Sequence, residues 1–395
     1  MNRLLLTFCL LFLIAIEILR GYFVMPLPGS QSHNTIQYAY WLNNNITWMR
    51  IVALTAATFF FIKVFRNSKR WMKIVISVTA IAYAVIFYLF NFQLEADKVF
   101  YPPKVTSFVS SSLDTTDKVK LVIGIVIDGQ AKAYPIQIIG YHHQVKDTIG
   151  NTPVLVTYCT VCHTGRVFSP VINGKNETFT LVGMDHFNAV FEDKTTKSWW
   201  QQATGVAIAG PLKGSTLKEL PSTQLPLGVW MREHPNTLVM QPDMSFEKNY
   251  EWLADYDDGN TQGNLVKRDF SSWNSKSWIV GIRNEHLSKA YDWNELVKKK
   301  IIQDSIAHLP VLLTLENDAN AFHAYDRRID GLILRFKMGN NNDSLIDDNT
   351  KSVWNMDGVC VGGMLKGKRL IAVQAYNEFW HSWLTFHNNT QRYLQ

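Results

Sequence analysis

Three long apolar runs near the start of the chain, residues 4–25, 46–64 and 72–92, restrict what the first part of this 395-residue sequence can fold into. Each is about as long as the ~20 residues that a helix needs to cross the hydrocarbon of a bilayer. The first run lacks a small-x-small cleavage site and continues through Tyr22-Phe23-Val24-Met25, so it reads as a retained anchor rather than a removed leader. Cys9 lies within it, facing lipid or a neighbouring helix. Glu17 and Arg20, one turn apart in the same run, read as a pair within the helix or as a contact for a partner.

The loops set an orientation. Lys63, Arg66, Lys69, Arg70 and Lys73 crowd the connection between the second and third runs, whereas residues 26–45 carry no Lys or Arg. By the positive-inside rule the basic loop and the N-terminus face the cytoplasm. Three spans then carry everything after about Leu94 out of the cytoplasm. The expected location is the cytoplasmic (inner) membrane, multi-pass, with the lipid bilayer as a partner of the chain and an extracytoplasmic C-terminal domain. Residues 1–98 hold nine Lys/Arg and three Asp/Glu, which accounts for the whole-chain net charge of +6. The rest of the chain is neutral, so the basic balance belongs to the anchor and no nucleic-acid partner is implied. Thirteen Trp and 22 Phe supply ample material for a core outside the membrane.

That outer region is a duplication. Residues 118–237 and 275–390 read as two copies of one unit. Lys132-Ala133-Tyr134 recurs as Lys289-Ala290-Tyr291, Pro153-Val154-Leu155-Val156-Thr157 as Pro310-Val311-Leu312-Leu313-Thr314, and Asn173-Gly174 as Asp330-Gly331. Later, Trp230, His234 and Thr237 recur as Trp383, His387 and Thr390. The first three pairs lie 157 positions apart and the last three 153, and offsets held over several matches signal a common structure. Each copy reads mostly as strand, with short helices at 136–142 and 293–300. Asn173-Gly174 reads as a type I′ hairpin joining 166–172 to 178–184. The fold class expected is α+β, a β-rich duplicated region after three transmembrane helices. Its parts are an anchor (1–98), a first repeat (99–240), a linker (241–274) and a second repeat (275–395). The polar run Asp255-Tyr256-Asp257-Asp258-Gly259-Asn260 in the linker reads as a solvated loop, because its glycine is misplaced for a calcium loop and no Glu closes it.

Two of the four cysteines fall in Tyr158-Cys159-Thr160-Val161-Cys162-His163, at the end of an apolar strand-like run. Two thiols at this spacing can form a disulfide or hold one soft metal ion. A following His also completes the letters of a haem-attachment motif. The second copy has Glu316 and Ala319 at the equivalent positions, so the shared fold does not depend on the thiols. Cys360 replaces Ala207 of the first copy. It could supply a third thiolate, or fill a small buried site in a Gly-rich turn. His163, His143 and His186 are further candidate ligands, with copper or zinc the metals that this donor set suits. The more frequent role of a lone His is a hydrogen-bonded structural one.

Several segments resemble the DUF3179 family, a domain of unknown function. They are Asp128-Gly129-Gln130-Ala131-Lys132-Ala133-Tyr134-Pro135, the Val156–Cys162 stretch, Ser198-Trp199-Trp200-Gln201 on to Gly214, and Trp230 with His234, Pro235 and Thr237. The resemblance brings no established activity. The family's Y-C-P-x-C-G motif, with selenocysteine at the second cysteine in some members, implies a redox or soft-metal role for Cys162. This chain departs from it at Thr160 and His163. The expectation is a membrane-anchored protein whose Cys159 and Cys162 act as a thiol-redox or soft-metal site, serving a membrane or periplasmic redox partner. In that reading Cys162 is the more reactive thiolate, its pKa lowered by His163. The alternatives are a non-catalytic module of a membrane complex and a c-type haem electron carrier. No phosphate loop, nucleophile elbow or H-E-x-x-H motif is present.

Overall fold

The computed structural model describes residues 1–261, 263–318, 320–339 and 343–394. The apolar runs are helical: α1 spans Asn2–Val24, α2 Ile36–Arg66 and α3 Arg70–Tyr88. All three are long and apolar enough to cross a membrane. Leu13, Ile16, Leu42, Ile46 and Ala53 pack inward. Trp48, Ile51, Ile74 and Val78 remain exposed, as a lipid-facing surface requires.

The polar residues of this bundle correct one expectation. Glu17 does not pair with Arg20. Its carboxylate accepts two 2.6 Å bonds from Arg50 of α2 and one of 3.1 Å from Asn91. Arg20 pairs instead with Glu95 at 2.9 Å. Glu17 is fully buried, and in that setting a carboxylate demands a complete counter-charge. The planar fork of an arginine on a facing helix supplies one better than a neighbour on the same helix.

The chain divides into two compact units. One joins residues 1–101 to 177–216, and the other joins 102–176 to 217–395. Part of the first repeat therefore folds with the anchor. It forms a four-stranded antiparallel sheet of Phe179–Asp185, Asn188–Asp193, Trp199–Gln201 and Ala207–Ala209. Val190, Trp199 and Ala209 pack on Ala39 of α2, with Val24, Ile36 and Tyr40 around them. The approach is close at Gly183, where a Cβ would lie 2.3 Å from the carbonyl oxygen of Val24.

In the second unit the two repeats share one strand order. The hairpin of Leu121–Ile127 and Gln130–Pro135 is flanked by Thr223–Pro226 on one edge and Leu238–Met240 on the other. The hairpin of Trp278–Asn284 and Leu287–Asp292 is flanked likewise by Ala375–Phe379 and Thr390–Arg392. In both, the last strand adds parallel to the second strand of the hairpin. Each hairpin is followed by an antiparallel sheet: Gln144–Ile149, Thr152–Cys159 and Thr164–Phe168 in one, and Ile301–Ile306, Leu309–Leu315 and Phe322–Asp326 in the other, where Ile371–Ala372 adds a fourth strand. The connecting helices Ile136–His142 and Trp293–Lys299 end alike, on left-handed His143 (φ 60°) and Lys300 (φ 62°). Even the tightest contact is repeated. A Cβ on Gly124 would meet the Trp230 ring at 2.4 Å, and one on Gly281 the Trp383 ring at 2.4 Å. The repeats meet where Ser222 N donates to Gln374 Oε1 (3.1 Å) and Gln374 Nε2 donates to Ser222 O (2.9 Å).

Two local expectations change. Asn173 and Gly174 do form a turn with positive φ, but only Val171–Ile172 and Lys175–Asn176 pair across it. The longer flanking segments pair elsewhere, Thr164–Phe168 with Thr152–Cys159 and Phe179–Asp185 with Asn188–Asp193. Pro170 cannot donate to a ladder, and the first of these strands ends before it. The Asp255–Asn260 run is not solvated throughout. Tyr256 and Asp257 are 1% and 6% exposed, because the Tyr256 hydroxyl donates to Thr160 O (2.7 Å) and Asp257 accepts from Leu121 N (3.0 Å).

Candidate functional site

The apolar strand Thr152–Cys159 is the centre of its three-stranded sheet, and the thiols follow from how it ends. Cys159 still pairs with Thr164 across the ladder, so residues 160–163 must turn the chain within four positions. Cys162 N donates to Cys159 O (3.2 Å), and His163 takes a left-handed conformation (φ 54°) to re-enter the sheet. This turn brings the Cys159 and Cys162 side chains into hydrogen-bonding contact. All four cysteines are thiols. Cys159 is 2% exposed and Cys162 is fully buried.

The wall around the thiols comes from the second repeat. Phe379 N donates to Cys162 O (2.9 Å), which ties the turn to the strand Ala375–Phe379. The Ser382 hydroxyl touches Cys162 and also donates to Glu378 Oε1 at 2.5 Å. Glu378 Oε2 in turn receives Arg166 Nη2 at 2.9 Å, an ion pair buried on both sides. Arg166 lies 3.4 Å over the Tyr376 ring. Lys276 Nζ donates to Val161 O (2.6 Å) and sits 3.1 Å from His381 Nε2.

Burial dominates the electrostatics here. It pushes the Cys162 thiol well above its usual range, and contact with Cys159 adds to the effect while Ser382 opposes it. His163 is driven down to about 3, again chiefly by burial. Its imidazole is therefore neutral near pH 7 and cannot serve as the cation that lowers a thiol pKa, contrary to the sequence expectation. Both of its nitrogens are engaged: Nδ1 with the hydroxyls of Tyr158 (3.2 Å) and Tyr256 (3.1 Å), Nε2 with Asn377 Oδ1 (2.8 Å). The ring also stacks on Trp278 at 4.6 Å. The cation beside the thiols is Lys276, whose ammonium burial lowers to about 8 while Cys162 and Cys159 raise it.

The other predicted ligands have local roles of their own. His143 caps the helix Ile136–His142 and contacts Tyr141 O through Nδ1 at 3.1 Å. His186, in the first unit, pairs with Asp185 at 2.9 Å. Cys360 lies in an apolar cluster with Trp354 and Tyr325, its thiol donating to Gly362 O at 3.3 Å. The donor set therefore fits neither haem, which needs a nitrogen of His163, nor tetrahedral zinc, which needs four ligands. Two thiolates alone suit only a low-coordinate soft ion such as Cu(I).

The place equivalent to the thiol turn in the second repeat is filled by charge. Glu316 stands where the first repeat has Cys159; the counterpart of Cys162, Ala319, lies outside the described residues. Among the described residues, one oxygen or nitrogen each from Glu233, Glu316, His323 and Asp357 gather within 4.8 Å of one another. The Arg232 guanidinium already sits among them, 2.6 Å from Glu316 and 2.8 Å from Asp357, so this cluster is an ion-pair network. Sequence reasoning missed Arg166, Lys276, Glu378 and Ser382. One signal was available: Glu378 interrupts an otherwise uncharged strand at a position where the first repeat has Leu225.

A family profile described as "Protein of unknown function (DUF3179)" matches residues 101–390. No curated protein and no solved structure matches the chain. The chain belongs to the DUF3179 family.

Proposed function

We propose that this DUF3179 protein is a membrane-anchored thiol-redox protein in which Cys159 and Cys162 cycle between dithiol and disulfide. The observation that carries the reading is the contact between the two thiols, at positions where the sequence of the other repeat has Glu316 and Ala319. In the oxidising direction each thiol gives up a proton and an electron and one S–S bond forms. The co-reactant is a partner disulfide, which takes up both electrons and both protons and leaves as two thiols. Lys276 supports the thiolate through which exchange must pass, and the contact with Ser382 works in the same direction, against burial. Burial of both sulfurs limits exchange to partners that enter the pocket or open it. The five basic residues between Lys63 and Lys73 favour a cytoplasmic loop, and hence a redox site on the outer side of the inner membrane.

The test uses the full-length protein in detergent, equilibrated across a series of thiol–disulfide buffers, alkylated, and weighed. The expected result is reversible loss of two alkylatable thiols in one two-electron transition, absent from the Cys159→Ser and Cys162→Ser variants. Thiols that stay fully alkylatable across the series would leave the non-catalytic module as the reading. The double variant Cys159→Ser/Cys162→Ser should remain folded, since the pair encloses only two residues.

A further inference from the structure

Next to the thiol turn the second unit has an open pocket lined by Lys267, Arg268, Phe270, Asn274 and Lys276, with Asp269 as its one carboxylate. Its charges are unusually incomplete. Asp269 is already satisfied by Ser271 N (2.8 Å) and Asn274 Nδ2 (2.9 Å). Arg268 rests against Trp278 (3.9 Å) and Phe270 (4.6 Å), yet its Nε is buried without a hydrogen-bond partner. Among the described residues no carboxylate lies within ion-pair distance of Arg268 or of Lys276. The acid that influences Arg268 is Asp292, which is held by Ser272 (2.7 Å). Both cations are shifted toward their neutral forms, Arg268 to about 10 and Lys276 to about 8, with burial the first cause in each. Two cations, Arg268 and Lys276, line one pocket with no carboxylate at ion-pair distance among the described residues, and its single carboxylate, Asp269, is taken up by its own loop, so the pocket has an excess of positive charge that an anion would complete.

The pocket also adjoins the thiols through shared residues. Lys276 lines it and donates to Val161 O between the two cysteines. Trp278, against which Arg268 lies, stacks on His163 of the same turn. We propose that this pocket binds a small oxyanion (carboxylate, sulfonate or phosphate) and that this group is the charged end of the molecule that the thiols act on. The first half stands on the pocket alone, and the second rests on the thiol-redox reading.

The two halves are tested separately, on full-length protein in detergent. In the first arm, sodium sulfate is titrated calorimetrically at constant ionic strength against chloride. Saturable binding is expected, weakened roughly tenfold in Arg268→Gln and in Lys276→Gln, because each removes one charge-assisted contact. Binding should persist in Cys159→Ser/Cys162→Ser. Lys267→Gln, at an exposed position, provides a milder variant should Arg268→Gln fail to fold, with a loss of roughly twofold to threefold. Absence of saturable sulfate binding, or equal binding by wild type and all three variants, overturns the site. In the second arm, oxidation of the thiols by glutathione disulfide, an anion, is compared with oxidation by neutral hydroxyethyl disulfide. The rate ratio should favour the anion and fall about tenfold in Arg268→Gln. Equal ratios in wild type and variant disconnect the pocket from the thiols. If neither disulfide reacts, the thiol reading fails, and the first arm alone decides the pocket.

Discussion

Replacing Glu378 by Gln should be among the most damaging single changes near the thiols, and the structure gives its size. Arg166 and Glu378 lie 2.9 Å apart with side chains 2% and 1% exposed. Without Glu378, Arg166 keeps Thr164 Oγ1 (2.5 Å), Gly165 O (3.2 Å) and the face of Tyr376. The nearest remaining carboxylate, Glu219, is 3.7 Å away and 31% exposed, too distant and too solvated for full compensation. Removing one partner of a buried pair costs about 3–5 kcal/mol. Partial rescue by Glu219 places this case near ~3 kcal/mol, roughly a hundredfold in the folding equilibrium. Removing both charges, with Arg166→Met and Glu378→Leu together, also removes the desolvation cost and should recover most of the loss. The residual deficit should be about 1 kcal/mol, from the stranded Ser382 hydroxyl. Urea titration of the full-length protein in detergent, followed by tryptophan fluorescence, measures Glu378→Gln and the cycle of wild type, Arg166→Met, Glu378→Leu and the double variant. A loss below ~1 kcal/mol for Glu378→Gln, or strictly additive single and double variants, would refute the reasoning.

Gly124→Ala and Gly281→Ala should each destabilise by about 1–3 kcal/mol, through the clash with Trp230 or Trp383, and by similar amounts in the same urea assay. Burial raises the Asp257 carboxyl to about 7, so the folded state holds a proton that the unfolded state releases. That contribution is complete below the ordinary carboxylate range and is lost as pH rises toward 7. The stability of Asp257→Asn relative to wild type should therefore climb between pH 4 and pH 7, and a flat difference would show the carboxyl to be unshifted. Alkaline phosphatase fused at the C-terminus should be active, and a cytoplasmic reporter at the same position silent; the reverse pattern would invert the topology.

The elements legible in the sequence are those written in local pattern. Helices α1 to α3 follow from apolar length alone, and the repeats from matches at offsets of 157 and then 153 positions that shared side-chain environments preserve. The turn at Asn173-Gly174 was readable because positive φ selects those residue types, yet its strands were not, since pairing is decided by partners far along the chain. The same limit hid the site's surroundings. Cys159 and Cys162 announce themselves by spacing, but Lys276, Glu378 and Ser382 reach them across more than a hundred residues. Tyr256 shows the converse error, a residue that looks solvated among aspartates until the turn at Thr160 gives it a hydrogen-bond acceptor. Glu17 and Arg20 look like partners from their spacing on one helix, yet Arg50 of another helix is the stronger partner of Glu17.

The sheet of residues 179–209 has a practical consequence. The family profile begins at residue 101, which invites cutting the chain there to obtain a detergent-free fragment. Such a cut would remove Val24, Ile36, Ala39 and Tyr40 and leave Val190, Trp199 and Ala209 uncovered. The fragment would carry a sticky apolar face of its own making, so poor behaviour in water would report the missing helices rather than an unstable thiol unit. A fragment for crystallisation or assay is better obtained by keeping α1 and α2, or by replacing the apolar residues of that face with polar ones before truncating.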